Sequence, residues 1–322
     1  MTDGTALPRY DDLPPAQAGG RSAWEVFGAG DCLGRIGLQT EDTVLAAAGL
    51  VRRGAVFSLN APQNIMTPPL FRRGAIRHTL FGRERAVGYD DAYDNYYPQA
   101  SSQWDALAHV AYRRNVYYQG ATADEIAEQH RNTIEHWARR GIVGRGVLLD
   151  VRGALSEAGR AYDPGSSYAL SVDDLELARA RAGVTFRPGD VILLYTGFLD
   201  WYREQPDDVR LRLSDPDRLC AVGIEHTEEM ARYIWDTGAS GLVSDTAGLE
   251  VWPPDRSDEA APFGFLHRVL IAQLGMAIGE LWWLSDLAAD CAQDGRYEFF
   301  LTSAPLNVPG GTGSPANALA IK

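Results

Sequence analysis

The sequence predicts an α/β fold, one domain with a mixed β-sheet core flanked by helices. Three observations predict it. Short apolar runs alternate with segments carrying helix start and stop signals. The 322 residues suffice for one large domain with a sizeable core. No internal repeat and no long linker divides the chain.

Taken in order, residues 1–22 are polar and rich in Pro and Gly, as in Pro14-Pro15 and Gly19-Gly20, and are expected to be a flexible N-terminal arm. Residues 23–322 then form the domain. Thr40 can cap a helix through Val44–Arg53, with Glu41 and Asp42 at its positive end, Arg52 and Arg53 at its negative end, and Gly54 as its stop. Strands are expected at Val56-Phe57-Ser58-Leu59, at Val147–Val151, at Val191–Tyr195, around Leu242-Val243 and at Tyr297–Leu301. Between them, helices are expected over Ile134–Arg140, after Ser171-Val172-Asp173-Asp174 with its capping pattern, over Thr227–Trp235 and over Phe265–Met276.

Composition narrows the function. The hydrophobic fraction of 45% and charged fraction of 23% are those of a soluble globular protein. A net charge of −13 argues against nucleic acid or an anionic membrane as partner. No apolar run reaches a membrane span, and the N-terminus lacks the pattern of a signal peptide. Cys32, Cys220 and Cys291 are scattered and form neither a disulfide framework nor a zinc knuckle, so a cytoplasmic protein with reduced thiols is expected.

The chemistry concentrates in Ser101-Ser102-Gln103-Trp104-Asp105-Ala106-Leu107-Ala108-His109. In an extended segment, residues two apart share a face, so Gln103 and Asp105 can address one point. His109 joins them if the chain turns after Asp105. Carboxylate and imidazole together suit a divalent metal, acid–base work or both; a surface pair or a capping contact is the bland alternative. His267, in an apolar run, is either a satisfied core histidine or a ligand. Glu280, between Gly279 and Leu281-Trp282-Trp283, is an acid among apolar residues and demands a cation or a donor if buried. Asp245 lies at a strand end, where it can serve a site or simply a structural hydrogen bond. Trp24 and Trp104 can line an aromatic-substrate pocket or fill the core, and His78 can bind a substrate carboxylate or carbonyl. Tyr96, Tyr97, Tyr117 and Tyr118 flank the motif. The Gly310-Gly311 turn lacks the lysine and setting of a phosphate loop.

From Phe27 to Lys322 the chain resembles the cyclase family that includes bacterial kynurenine formamidase, isatin hydrolase and polyketide cyclase-like proteins, most closely its longer fungal and actinomycete branch. The marks are Phe27–Gly34, Gly141–Asp150, Ser244-Asp245 with Glu250-Val251-Trp252-Pro253, Leu266-His267 leading to Gly279-Glu280-Leu281, and Ala304–Gly311. The resemblance implies a swivelling β/β/α fold of the kynurenine formamidase kind and a homodimer or homotetramer. Laid on the family signature His-x-Gly-Thr-His-x-Asp-x-Pro-x-His, the metal-binding Asp falls on Asp105, the acid–base His on His109 and the Pro on Leu107. The two metal-binding His positions fall on Gln99 and Gln103, and the distal ligands on His267 and Glu280. The resemblance thus implies one divalent ion, manganese or zinc, held by Gln103, Asp105, His267 and Glu280. Replacing two imidazoles by amides weakens zinc and favours manganese, magnesium or no metal. The leading expectation is a metal-dependent hydrolase of a small cyclic or acylated amide or a lactone, with an aromatic or cyclic substrate and His109 as acid and base. The alternatives are a metal-free cyclase, lyase or isomerase of a natural-product intermediate working through an Asp105–His109 pair, and a non-catalytic binding protein.

Overall fold

The computed structural model describes residues 7–17, 19–82, 84 and 87–322. Its strands, in chain order, are β1 (Val56–Ser58), β2 (Arg77–Phe81), β3 (Asp90–Asp94), β4 (Gln103–Asp105), β5 (Ile142–Asp150), β6 (Ala169–Leu170) and β7 (Val191–Tyr195). There follow β8 (Gly223–Ile224), β9 (Gly241–Ser244), β10 (Ala277–Glu280), β11 (Glu298–Ser303), β12 (Gly313–Pro315) and β13 (Ala318–Ile321). Among the described residues, nine of them form one mixed sheet in the order β1-β13-β11-β5-β7-β9-β10-β4-β12. The centre, β5-β7-β9-β10, is parallel, and both flanks are antiparallel. The parallel strands are almost wholly buried, as crossover helices on the sheet faces require. The chain is therefore a single-domain α/β fold with a large mixed sheet flanked by helices.

Capping chemistry places the helices where the sequence puts their starts. Thr40, Ser171 and Thr227 each accept a hydrogen bond from the backbone N–H three residues on, at Thr43, Asp174 and Met230. At Ser171 the box is reciprocal, because Asp174 accepts from the Ser171 N–H at 3.0 Å.

Three expectations need correction. Residues 7–17 and 19–22 are not a loose arm. Tyr10 and Leu13 are buried, the Tyr10 N–H donates to Asp236 at 2.9 Å, and the Trp235 indole donates to the Pro8 carbonyl. Tyr10 packs along the helix Glu228–Asp236, its hydroxyl donating to Glu228 at 3.3 Å and its ring lying under the Arg232 guanidinium at 5.3 Å, and with the burial of Leu13 this offsets the entropy of ordering the segment. Residues 1–6 lie outside the described residues. The first helix stops at Ala48, and Arg53 instead pairs with Asp290. Over Phe265–Met276 only His267–Leu270 is regular helix; wider turns follow, with the Leu274 N–H donating five residues back to Val269 and the Met276 N–H six back to Leu270, and Gly275, at φ +65°, packs against Tyr118 and delivers Met276 to β10.

Two strand limits also shift. The strand expected at 147–151 starts earlier, at Ile142, and ends at Asp150, whose carboxylate caps a helix from Val151 by accepting from the Gly153 N–H at 2.8 Å. β4 and β10, absent from the strands expected from the sequence, carry the candidate site. No helix among the described residues is long and apolar enough to cross a membrane.

Candidate active site and metal centre

Strand register builds the site. β4 lies between β10 and β12, both antiparallel, with Glu280 opposite Gln103, Ile278 opposite Asp105, and Gly313 opposite Asp105 on the other side. Residues opposite one another share a face, and residues two apart on a strand do too. Gln103, Asp105 and Glu280 therefore project to one side of the sheet. Trp104 must project to the other.

Trp104 is wholly buried there, its indole donating to Ser303 at 2.9 Å and its ring meeting Trp282 edge-on at 4.9 Å. Trp282 in turn donates to the Gln103 carbonyl at 2.8 Å, pinning β4 in place. The expectation that Trp104 lines a substrate pocket does not fit: the pleat that aims Gln103 and Asp105 at the site commits Trp104 to the core.

His267 arrives from elsewhere, at the first turn of the helix His267–Leu270. Its Nε2 lies 3.0 Å from Glu280 Oε1 and 3.8 Å from Asp105 Oδ2. One potential ligand atom from each of Asp105, His267 and Glu280 falls within 4.8 Å of the others. Gln103 Nε2 donates to Glu280 Oε2 at 2.6 Å. His109 stands at the rim, a quarter exposed, with Nε2 3.6 Å from Asp105 Oδ1. The turn that brings it there is closed by its own N–H, which donates to the Ala106 carbonyl.

Satisfaction of these groups is uneven. Both oxygens of Asp105 and Oε1 of Gln103 are buried and accept no hydrogen bond. Buried polar atoms are nearly always paired, so three orphaned acceptors converging beside an imidazole form a cradle suited to a cation. An anionic oxygen, an amide oxygen, an imidazole nitrogen and a second carboxylate also form a mixed donor set of the kind divalent ions take. These residues fit one divalent ion. Burial pushes the Asp105 carboxyl up from its usual range and the charge of Glu280 adds to this, while His109 and His267 act the other way.

Glu250 escaped the sequence reading as a site residue. It is fully buried after β9, and its carboxylate accepts from His267 Nδ1, from the Leu266 N–H and from the His267 N–H, with His226 Nε2 3.3 Å away. Burial works against its charge, but His226 and His267 prevail and hold it below the usual carboxylate range. The same contact fixes the His267 tautomer and turns Nε2 toward the cradle. Desolvation opposes protonation of His267, yet Glu250 and Glu280 raise its pKa well above the ordinary imidazole value. The rule that singled out Glu280, an acid among apolar neighbours, applies equally to Glu250 between Leu249 and Val251-Trp252.

The remaining expected residues lie apart. Asp245 accepts from the Thr196 N–H and hydroxyl and from the Gly197 N–H, all at 2.7–2.8 Å, so its oxygens tie β9 to the turn after β7. His78 sits on the exposed β2–β3 hairpin, 3.0 Å from Asp91 and stacked on Tyr93, with no contact to the Asp105 cluster. Trp24 donates to the Ala272 carbonyl and borders a separate cavity of about 410 Å³ with Tyr112 and Gln273. Gln99 lies close to the cluster: a Cβ on Gly313, opposite Asp105, would fall 2.6 Å from Gln99 Nε2, so glycine there makes room for the amide.

The Cyclase family model matches residues 92–251, which include Asp105, His109 and Glu250 but stop short of His267 and Glu280. A crystal structure described as a novel cyclase is 31% identical, with a TM-score of 0.82, covering 94% of this chain and 99% of its own. Isatin hydrolase A from Labrenzia aggregata is 16% identical with a TM-score of 0.59, covering 85% of this chain and 94% of its own. Its counterpart from Ralstonia solanacearum is 20% identical with a TM-score of 0.56, covering 88% and 98%. At those identities the likeness is one of fold. No curated protein matches the chain. With a relative above 30% identity matched over nearly the whole length of both chains, this protein belongs to the cyclase family.

Proposed function

We propose that the chain is a metal-dependent hydrolase of a small cyclic or acylated amide, or of a lactone. The observation that carries this reading is the cradle in which Asp105, His267 and Glu280 offer ligand atoms within 4.8 Å while both Asp105 oxygens and Gln103 Oε1 stay unpaired. Asp105, His267, Glu280 and Gln103 would hold the ion, which when bound supplies Lewis acidity and a water more acidic than bulk water. His109 Nε2, at the rim, takes a proton from the attacking water and returns it to the leaving nitrogen or oxygen. Asp105 Oδ1 orients that imidazole from 3.6 Å. Glu250 holds His267 with Nε2 presented inward. Isatin hydrolases, which share the fold, are named for action on a small cyclic substrate of this class.

The test is to strip the protein with chelator, restore manganese or zinc, and assay cyclic amides, N-acyl anilines and lactones. Activity should follow the added metal. Chelated protein that keeps full activity would refute the reading. A metal-free isomerase or lyase using Asp105 and His109 gains support from one contact: the Gln103 amide already bonds Glu280, as a site managing without an ion could arrange. Titration of stripped protein with Mn²⁺ separates the two, since stoichiometric uptake favours the hydrolase.

A further inference from the structure

Arg73 has no part in the chemistry above, yet it is hydrogen-bonded to Gln99, whose amide lies beside Gly313, the β12 partner of Asp105. Phe71 and Arg72 are consecutive non-glycine residues in the left-handed region, at φ +58° and +59°. Strain of this kind persists where the surroundings over-determine it. It delivers a half-buried Arg73 whose Nη1 donates to the Gln99 carbonyl and whose guanidinium carbon lies 5.0 Å from the Phe71 ring. Burial lowers its pKa, while the charges of Glu280 and Asp105 favour its charged form. Neither acid forms an ion pair with it, and Gln99 occupies only one arm of the fork.

The other side of Arg73 borders a surface groove of about 750 Å³. Arg72, Arg73, Arg212 and Arg218 line it with Asp208 and Asp215, and Arg72 pairs with Asp217 at 3.3 Å, which leaves a small positive excess in a chain of net charge −13. A protein so negative repels small anions unless a local positive surface attracts them. Arginine, with its planar fork, is the side chain suited to a carboxylate.

We propose that Arg73 anchors a carboxylate carried by the substrate, between the arginine-lined groove and the Asp105–His267–Glu280 centre, so that the substrate class is a small amide or lactone bearing a carboxylate. The placement of the reacting group rests on the hydrolase reading; the anion anchor itself does not. A guanidinium already partly desolvated and held by Gln99 and Phe71 loses little further freedom on gripping an anion, which fixes the rest of the molecule relative to His109.

The experiment is calorimetric titration of chelator-treated protein with benzoate and with benzamide, matched in shape and differing in charge. Wild type should bind benzoate at least ten times more tightly than benzamide. Arg73→Met should erase that preference, Arg73→Lys should keep part of it, and Arg212→Met should change it less than threefold. Equal binding of the two probes by wild type, or an undiminished preference in Arg73→Met, overturns the proposal. Should Arg73→Met fail to fold, Arg73→Lys and Arg73→Gln decide: a preference unchanged in both is fatal. Titration of the same proteins with Mn²⁺ keeps the two readings apart. Wild type that prefers benzoate but takes up no Mn²⁺ sinks the metal hydrolase and leaves the anchor standing; uptake without the preference does the reverse.

Discussion

Asp105 and Asp245 are both almost wholly buried, both lie at strand ends of one sheet, and burial raises the pKa of both. Their partners differ completely. Asp245 collects three donors from Thr196 and Gly197, whereas Asp105 collects none. A folded chain keeps a buried acid either because donors satisfy it or because function needs it unsatisfied. The first holds the scaffold together; the second leaves valence for a ligand. Asp245 draws notice by its strand-end place and Asp105 by its spacing from Gln103 and His109, and neither signal reports whether donors satisfy the acid.

The contrast breaks most visibly at Asp105. Asp105→Ala should weaken Mn²⁺ uptake by about a hundredfold or more, with the melting temperature unchanged or slightly raised, because an unpaired buried charge is removed. Calorimetry with a thermal melt checks both, and uptake equal to wild type would sink the metal assignment. Asp245→Ala should do the opposite, leaving Mn²⁺ uptake intact while costing about 2–3 kcal/mol in urea unfolding, as three donors lose their acceptor. A loss below about 0.5 kcal/mol would show that the donors find other partners.

The same pair of proteins sharpens the comparison across pH. The Asp245 carboxyl is pushed up to about 6, chiefly by burial, from an ordinary value of 3.8. The native state therefore binds this proton more tightly than the unfolded state does. Its contribution to stability is fully present below the unfolded value and is lost as pH rises through about 6, a decline of at most about 3 kcal/mol. Between pH 4 and 7 the stability of wild type should thus fall relative to Asp245→Ala; parallel urea midpoints over that range would contradict this. The smallest effect is expected at Glu250. Glu250→Gln should weaken Mn²⁺ binding roughly 10–100-fold by loosening His267 without removing a ligand, and unchanged binding would mean that Glu250 serves packing alone.

Much of this was legible in the chain. Capping residues announce themselves locally, because Thr40, Ser171 and Thr227 bond within one turn of their own helices. Period-two geometry placed Gln103 and Asp105 on one face, and the same periodicity could have consigned Trp104 to the other. What stayed hidden depends on partners distant in sequence. Arg73 meets the site through the Gln99 backbone, and Glu250 reaches His267 across the largely exposed segment 251–266. Tyr10 looked like part of a loose arm because the helix Glu228–Asp236 that covers it lies more than two hundred residues on. Asp245 was ambiguous because hydrogen-bond satisfaction is a property of neighbours, not of residue type.

The cross-strand pairing of β4 with β10 has a further consequence for how the protein comes into being. Gln103 and Glu280, joined at 2.6 Å, are 177 residues apart in the chain. Contacts that span such a distance are paid for late, after local elements have formed, and they slow folding. A chain emerging from the ribosome can assemble the parallel β5-β7-β9 core before Glu280 exists, but its cradle cannot close until β10 docks. On the metal-dependent reading, capture of an ion and completion of the fold are therefore expected to coincide in time, because a nascent chain carries only scattered ligands.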